Sequence, residues 1–291
     1  MSFWNEIKMQ YRMGGVVEKL IYMNVALFAI PFVLTGILSL FSIRFGFIPW
    51  VSLSSDPSDL LWKPWSILTY AFFHSGIFHI LFNLIIFYFI SRLFLTYFTQ
   101  KQLLNVYLVG ALFAGSVYIV SYLIFPALIS YKASLIGASG SVMAVMFATT
   151  TFAPQMQVRL LLIGNVKLWQ IALFYLIIDL ISLSSSNTGG HIAHLGGALF
   201  GYLFVKNIQR GNDITAWFGG FMDYVANGFK TTKKEKHFKK VYHNPTPKPS
   251  PKPTKDKTQQ QIDEILDKIS KSGYDSLTKE EKEFLFKAGK D

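Results

Sequence analysis

The chain has 291 residues, 51% of them hydrophobic and only 15% charged, with no cysteine and a formal net charge of +11 at pH 7. This is the composition of a membrane protein, and the missing cysteine excludes disulfides, thiolate metal sites and a cysteine nucleophile. Most of the positive excess lies from Lys206 onward, so it is read as cytoplasmic charge facing an anionic leaflet, with no nucleic acid as partner.

Residues 1–19 are mixed polar and form a cytoplasmic N-terminal segment without a signal peptide. Six stretches are long or apolar enough to cross about 30 Å of hydrocarbon: Leu20–Phe41, Phe78–Phe98, Leu103–Phe125, Ser139–Phe152, Leu168–Leu183 and His191–Val205. The expected fold is therefore an all-α membrane protein, a six-transmembrane-helix bundle over residues 20–206. The last three stretches are short, which places them in the middle of the bundle rather than against lipid. Lys8, Arg12 and Lys19 precede the first span, Arg92 and Lys101 lie near the turn after the second, and Arg159 and Lys167 follow the fourth. The positive-inside rule then puts both termini in the cytoplasm. Between the first two spans, the loop Ser42–Ile77 carries Trp50, Trp62 and Trp65 and is expected to sink partly into the outer leaflet. The small polar loop Ser184–Gly190 reads as a movable cap.

After the last span comes a basic amphipathic juxtamembrane segment, residues 207–243. Ile214, Trp217, Phe218, Phe221, Tyr224 and Val225 recur there at helical spacing, although Gly219 and Gly220 weaken the pattern. A Pro/Lys-rich extended linker occupies 244–258. Residues 259–291 form a small helical module in which Thr278 and Glu281 make a capping-box pattern. Two short helices bury too little to stand alone, so this module is expected to meet a protein partner or to self-associate.

In this topology spans two, four and six run from outside to inside, so residues at their starts share one depth near the outer face. His79 and Asn83 begin the second, Ser139 heads the fourth within Gly137-Ala138-Ser139-Gly140, and His191 and His194 begin the sixth. A serine where a helix begins has its N–H among the unpaired N-terminal donors and its hydroxyl free to act as nucleophile. His194 is followed by Gly197 and Gly201 on one helix face, where glycines let a neighbouring backbone approach and bring an imidazole toward Ser139. His79 and Asn83 are an i, i+4 pair pointing one way, suited to complete an oxyanion hole with the Ser139 N–H. Either set can also serve packing alone, but several polar groups at one depth in hydrocarbon favour function. His74, His79, His191 and His194 raise a metal site, which is set aside because no carboxylate joins them in a His-Glu-x-x-His pattern. Asp179, the one carboxylate within a span, can orient His194 but is read first as a polar contact near the outer interface.

Taken together, His79-Ile-Leu-Phe-Asn83, Gly137-Ala-Ser139-Gly140 and Ala193-His194-Leu-Gly-Gly197 with Gly201 resemble the motifs of rhomboid intramembrane serine proteases of the six-helix bacterial type. The resemblance covers about residues 20–206. It implies a Ser–His dyad with Ser139 as nucleophile and His194 as general base and acid. His79, Asn83 and the Ser139 N–H would be the oxyanion donors, and Gly137, Gly140, Gly197 and Gly201 would support helix packing. It also implies no cofactor and no metal, a place in the cell (inner) membrane, and single-pass transmembrane proteins as substrates, cut near the outer face. Three positions depart from the family pattern: Met143 stands where many relatives have an aromatic, Trp65-Ser66 where a Trp-Arg pair is common, and no glutamate occurs from Phe87 to Phe98. One rival reading is a non-catalytic rhomboid-like protein that binds transmembrane helices. Another is a channel or transporter, but the internal repeats and midplane charges it calls for are absent.

Overall fold

The computed structural model describes residues 3–161, 163–184, 187–228 and 257–289. The chain forms two units, residues 1–231 and 232–291. The helices of the first that are longer than a single turn are α1 (Phe3–Met13), α2 (Val16–Leu40), α3 (Ile77–Phe94), α4 (Gln100–Ile124), α5 (Ser139–Phe152), α6 (Leu168–Ile181), α7 (Thr188–Ile208) and α8 (Ala216–Gly228). It is an all-α membrane bundle. Helices α2, α3 and α4 are long and apolar enough to cross a membrane, and α5 and α6 are shorter apolar helices.

Local sequence explains where the helices begin and end. At the start of α4, Gln102 N–H donates to Thr99 Oγ1 (3.2 Å) and Thr99 N–H to Gln102 Oε1 (3.0 Å), a reciprocal cap that satisfies two otherwise orphaned donors. Pro126 follows the C-terminal end of α4, and Pro154 that of α5, where a missing N–H and a fixed φ stop a helix. Helix α2 starts at Val16, four residues before the expected Leu20, and takes Glu18 and Lys19 into its first turn. Glu18 pairs there with Arg92 of α3, and Val16 N–H donates to Gln100 Oε1 of α4 (2.9 Å).

The centre of the bundle is built from small residues on α4, α5 and α7. A Cβ added at Gly197 would land on the Gly140 carbonyl oxygen, and one at Gly201 on that of Ala144. A Cβ at Gly110 of α4 would come 2.6 Å from the Ala144 methyl. Such contacts bring helix backbones together without a hydrophobic driving force, by dispersion and close fit. The expectation that all three short helices are central holds for α5 and α7 but not for α6. In α6 only Leu168, Ala172 and Asp179 are buried, while Leu173, Phe174, Ile177, Leu180 and Ile181 are exposed. Its apolar residues face outward as lipid-facing ones do, and the long helix α4 fills the middle instead.

The segment between α2 and α3 is not a free loop. It contains single helical turns at Ile48–Val51, Asp59–Trp62 and Ser66–Thr69 and a strand β1 (Leu53–Ser54). Trp50, Leu61, Trp62 and Trp65 are exposed on it, an apolar surface of the kind that enters an interface. Strand β1 pairs antiparallel with β2 (Ser134–Leu135), Leu53 opposite Leu135 and Ser54 opposite Ser134. A hairpin of β3 (Gln157–Leu160) and β4 (Gly164–Lys167) joins α5 to α6. Of the stretch read as a movable cap, residues 185 and 186 lie outside the described residues, and most of the others are helical. A 3-10 turn covers Ser182–Ser184 and α7 begins at Thr188, so Gly189 and Gly190 belong to the helix. A Cβ at Gly189 would meet Tyr118 at 2.6 Å and Tyr122 at 2.8 Å, which is why glycine stands there.

Helix α8 docks on the start of α4: Lys101 Nζ lies 2.6 Å from Asp223 Oδ2, and Asn105 Nδ2 donates to the Thr215 carbonyl (3.3 Å). Gly219, which weakened the helical pattern, is the contact residue, since a Cβ there would come 2.9 Å from Asn105 Nδ2. The basic run from Lys230 to Lys236 lies outside the described residues, as does the linker apart from residues 257 and 258. In the second unit α9 (Lys257–Ser272) and α10 (Lys279–Ala288) enclose Ile265 and Leu277. Thr278 and Glu281 form the capping box there, with Glu281 N–H to Thr278 Oγ1 (3.3 Å) and Thr278 N–H to Glu281 Oε2 (2.8 Å). Lys268 of α9 reaches Glu281 at 2.8 Å.

Candidate active site

Ser139 is the first residue of α5, so its N–H is one of the four donors an α-helix leaves unpaired at its start. The chain reaches it through β2 and then Gly137, whose N–H donates to the Tyr70 carbonyl (2.9 Å). Gly137 has φ 129°, a region in which glycine alone is comfortable. A Cβ there would also lie 2.7 Å from His79 Nε2. This one glycine therefore makes the turn into α5 and leaves room for an imidazole from α3. The next residue, Ala138, donates its N–H to His74 Nε2 (3.4 Å). His74 is fully buried and meets the His79 ring edge-on at 5.1 Å, so it acts as a tether behind the serine.

On α3, His79 Nδ1 lies 3.0 Å from Ser75 Oγ, which leaves Nε2 as the nitrogen on the Gly137 side. Asn83 donates one amide hydrogen to the His79 carbonyl (2.9 Å). An amide has two such hydrogens, and the second remains for another acceptor. On α7, His194 Nδ1 is 2.8 Å from Asp179 Oδ1, and His191 Nδ1 is 2.8 Å from the same oxygen. Asp179 thus meets His194 directly, the second of the two roles open to it from the sequence. Sequence reasoning leaves Asp179 with two roles and gives His191 none in the dyad, because their separation along the chain from Ser139 carries no signal. The one available hint was a lone carboxylate in an apolar helix.

Among the described residues, Asp179, His191 and His194 form a group whose ligating atoms lie within 4.8 Å of one another. Two ligands of one tetrahedral zinc sit about 3.3 Å apart, given bonds of about 2.0 Å. The 2.8 Å N···O separations are hydrogen-bond lengths, and the geometry is that of one carboxylate accepting from two imidazoles.

Ser139, His194, His79 and Asn83 line one cavity of about 580 Å³, with Ser134, Met143, Tyr175 and Asn187 among its other walls. Three helices that are not consecutive in the chain deliver these four groups to it. Gly140, Gly197 and Gly201 stand behind, at the α5–α7 backbone contact. Met143 is buried on the wall of the same cavity. A larger cavity, about 900 Å³, lies against the other face of α7, lined by residues such as Val117, Leu128, Ile192 and Leu199. It is mostly apolar and contains none of the four groups, so size does not identify the site here.

The family model described as Rhomboid domain matches residues 61–209, just over half of the chain, and includes all four cavity residues. A second, described as a family of unknown function (DUF6576), matches residues 253–288. No curated protein matches the chain.

Proposed function

Because the chain belongs to the rhomboid family, we propose that it is an intramembrane serine endopeptidase that cleaves transmembrane helices of other membrane proteins near their outer ends. The observation that carries this reading is the shared cavity of Ser139, His194, His79 and Asn83. Ser139 Oγ attacks the scissile carbonyl while His194 Nε2 takes its proton, then returns it to the leaving amine as the acyl-enzyme forms. With Ser75 as donor to His79 Nδ1, the ring takes the tautomer with a hydrogen on Nε2. That N–H, the free amide hydrogen of Asn83 and the Ser139 N–H serve the developing oxyanion. Water entering from the outer side then releases the acyl group. The six-span arrangement with both termini in the cytoplasm, in the cell (inner) membrane, puts the cavity at the outer face. A peptide bond inside a helix is shielded by its own hydrogen bonds, so favoured substrates carry helix-weakening residues near the cut.

The test is labelling of the purified protein in detergent with a fluorophosphonate probe, comparing wild type with Ser139→Ala and His194→Ala. Labelling of wild type that is lost in both variants supports an activated serine. A folded wild type that stays unlabelled, or labelling that survives Ser139→Ala, overturns the protease and leaves a helix-binding member of the family.

A further inference from the structure

We propose that Asp179 is the positioning residue for His194, so that the site operates as Ser139, His194 and Asp179 in line rather than as a serine and histidine alone. This deepens the protease reading and rests on it. Asp179 is buried to 3% exposure on a helix whose neighbouring residues Ile177, Ile178, Leu180 and Ile181 are exposed and apolar. A carboxylate in such a helix is expensive unless its oxygens are hydrogen-bonded. Its bonds are both with histidines of α7, at 2.8 Å each, through Oδ1. Among the described residues Oδ2 is buried without a hydrogen-bond partner, so the two histidines are what holds the group there.

The bond falls on the nitrogen the chemistry needs occupied. With its Nδ1–H donating to Asp179, His194 keeps the Nε2 lone pair free to accept the Ser139 proton. When that proton arrives the ring becomes cationic, and the buried carboxylate 2.8 Å away stabilises the new charge. The proton passes from Ser139 Oγ to His194 Nε2 and then to the leaving amine, and Asp179 never takes it. Helix α7 cannot retreat from this arrangement, because its backbone rests on α5 at Gly197 and Gly201. Val142, Met143 and Met146 make an apolar part of the cavity wall, and the hydrogen bond from His194 Nδ1 to Asp179 is the contact that fixes which nitrogen faces the serine. His191 is a second donor to the same oxygen, and its ring meets that of His194 edge-on at 5.8 Å. It steadies the carboxylate and is not among the residues that line the cavity of Ser139.

The test uses the full-length protein with Asp179→Asn, which keeps shape and removes charge, and with His191→Ala. The rate of fluorophosphonate labelling at Ser139 is expected to fall about 10²- to 10⁴-fold in Asp179→Asn, with the thermal midpoint nearly unchanged. In His191→Ala the expected fall is less than about tenfold. Separately, ¹⁵N-histidine NMR of Ser139→Ala should find His194 protonated on Nδ1 with a downfield proton that disappears when Asp179→Asn is added. Labelling of Asp179→Asn within about threefold of wild type overturns the proposal. So does an equal loss in both variants accompanied by a collapse of the thermal midpoint, since that would mark a packing role. If wild type itself is unlabelled, the protease reading has failed. The tautomer then decides the positioning by itself, and a His194 protonated on Nε2 overturns it.

Discussion

At the scale of single residues, the close approaches around α5 decide what can be changed. A methyl group at position 197 has no space, because the Gly140 carbonyl occupies it. Gly197→Ala is expected to destabilise the bundle by about 1–3 kcal/mol, as overpacking does, and to reduce probe labelling as His194 moves with its helix. Gly36 is the control: it lies inside α2 with nothing within 4 Å of an added Cβ. Gly36→Ala is expected to leave labelling intact and to gain about 0.5–1 kcal/mol, the usual difference in a helix interior. Thermal melts in detergent check both, and an equal response of the two would remove the packing argument. Gly137→Ala acts differently, because it must abandon φ 129° and push against the His79 ring. Its expected signature is a labelling rate lower by about 10² or more, the worth of an oxyanion donor.

At the scale of an element, α10 is held at its start by Thr278 and tied to α9 by Glu281. Hydrogen bonds from Lys268, then from the Thr278 backbone, hold the Glu281 carboxyl below its ordinary value of 4.5. A carboxyl lowered in the folded state stabilises it fully above the ordinary value, and that contribution is lost as pH falls through the lowered one. Hydrogen exchange of residues 257–289 in the intact chain should therefore show constant protection from neutral pH to about 5, after correction for intrinsic rates, and weaker protection in more acid solution. Glu281→Gln should flatten that dependence. Thr278→Ala should cost about 1 kcal/mol at every pH, the loss of an N-cap. Protection that rises on acidification would contradict the sign of the argument.

At the scale of the whole molecule, the absence of cysteine makes the topology directly measurable. A single cysteine at Leu61→Cys, exposed on the segment between α2 and α3, is expected to react with a membrane-impermeant maleimide in intact cells. Cysteines at Leu161→Cys, exposed at the tip of the β3–β4 hairpin, and at Lys287→Cys are expected to react only after permeabilisation. The opposite pattern would place the cavity of Ser139 on the cytoplasmic side and reverse the expected direction of substrate entry. The same experiment tests the six-span count, because α5 and α6 are too short to be assigned as spans by length alone.

The sequence by itself determined that this is a helical membrane protein of the rhomboid family, because apolar runs and short motifs are local properties that need no neighbour to be read. It also pointed to the α5–α7 glycines and to the Thr278–Glu281 cap, where residue spacing along one helix maps directly onto geometry. Tertiary structure alone decided the rest. Sequence periodicity says that α6 is apolar but not which helix lies outermost, and packing put α4 in the middle and α6 at the edge. Strand β1 pairs with β2 across about eighty residues, a contact that no local pattern encodes. Asp179 stands 40 residues from Ser139 and reads as an isolated carboxylate until α6 and α7 are side by side. Hydrogen bonds act over about 3 Å of space whatever the distance along the chain, so which of its two roles Asp179 takes became visible only once the fold had brought α6 beside α7.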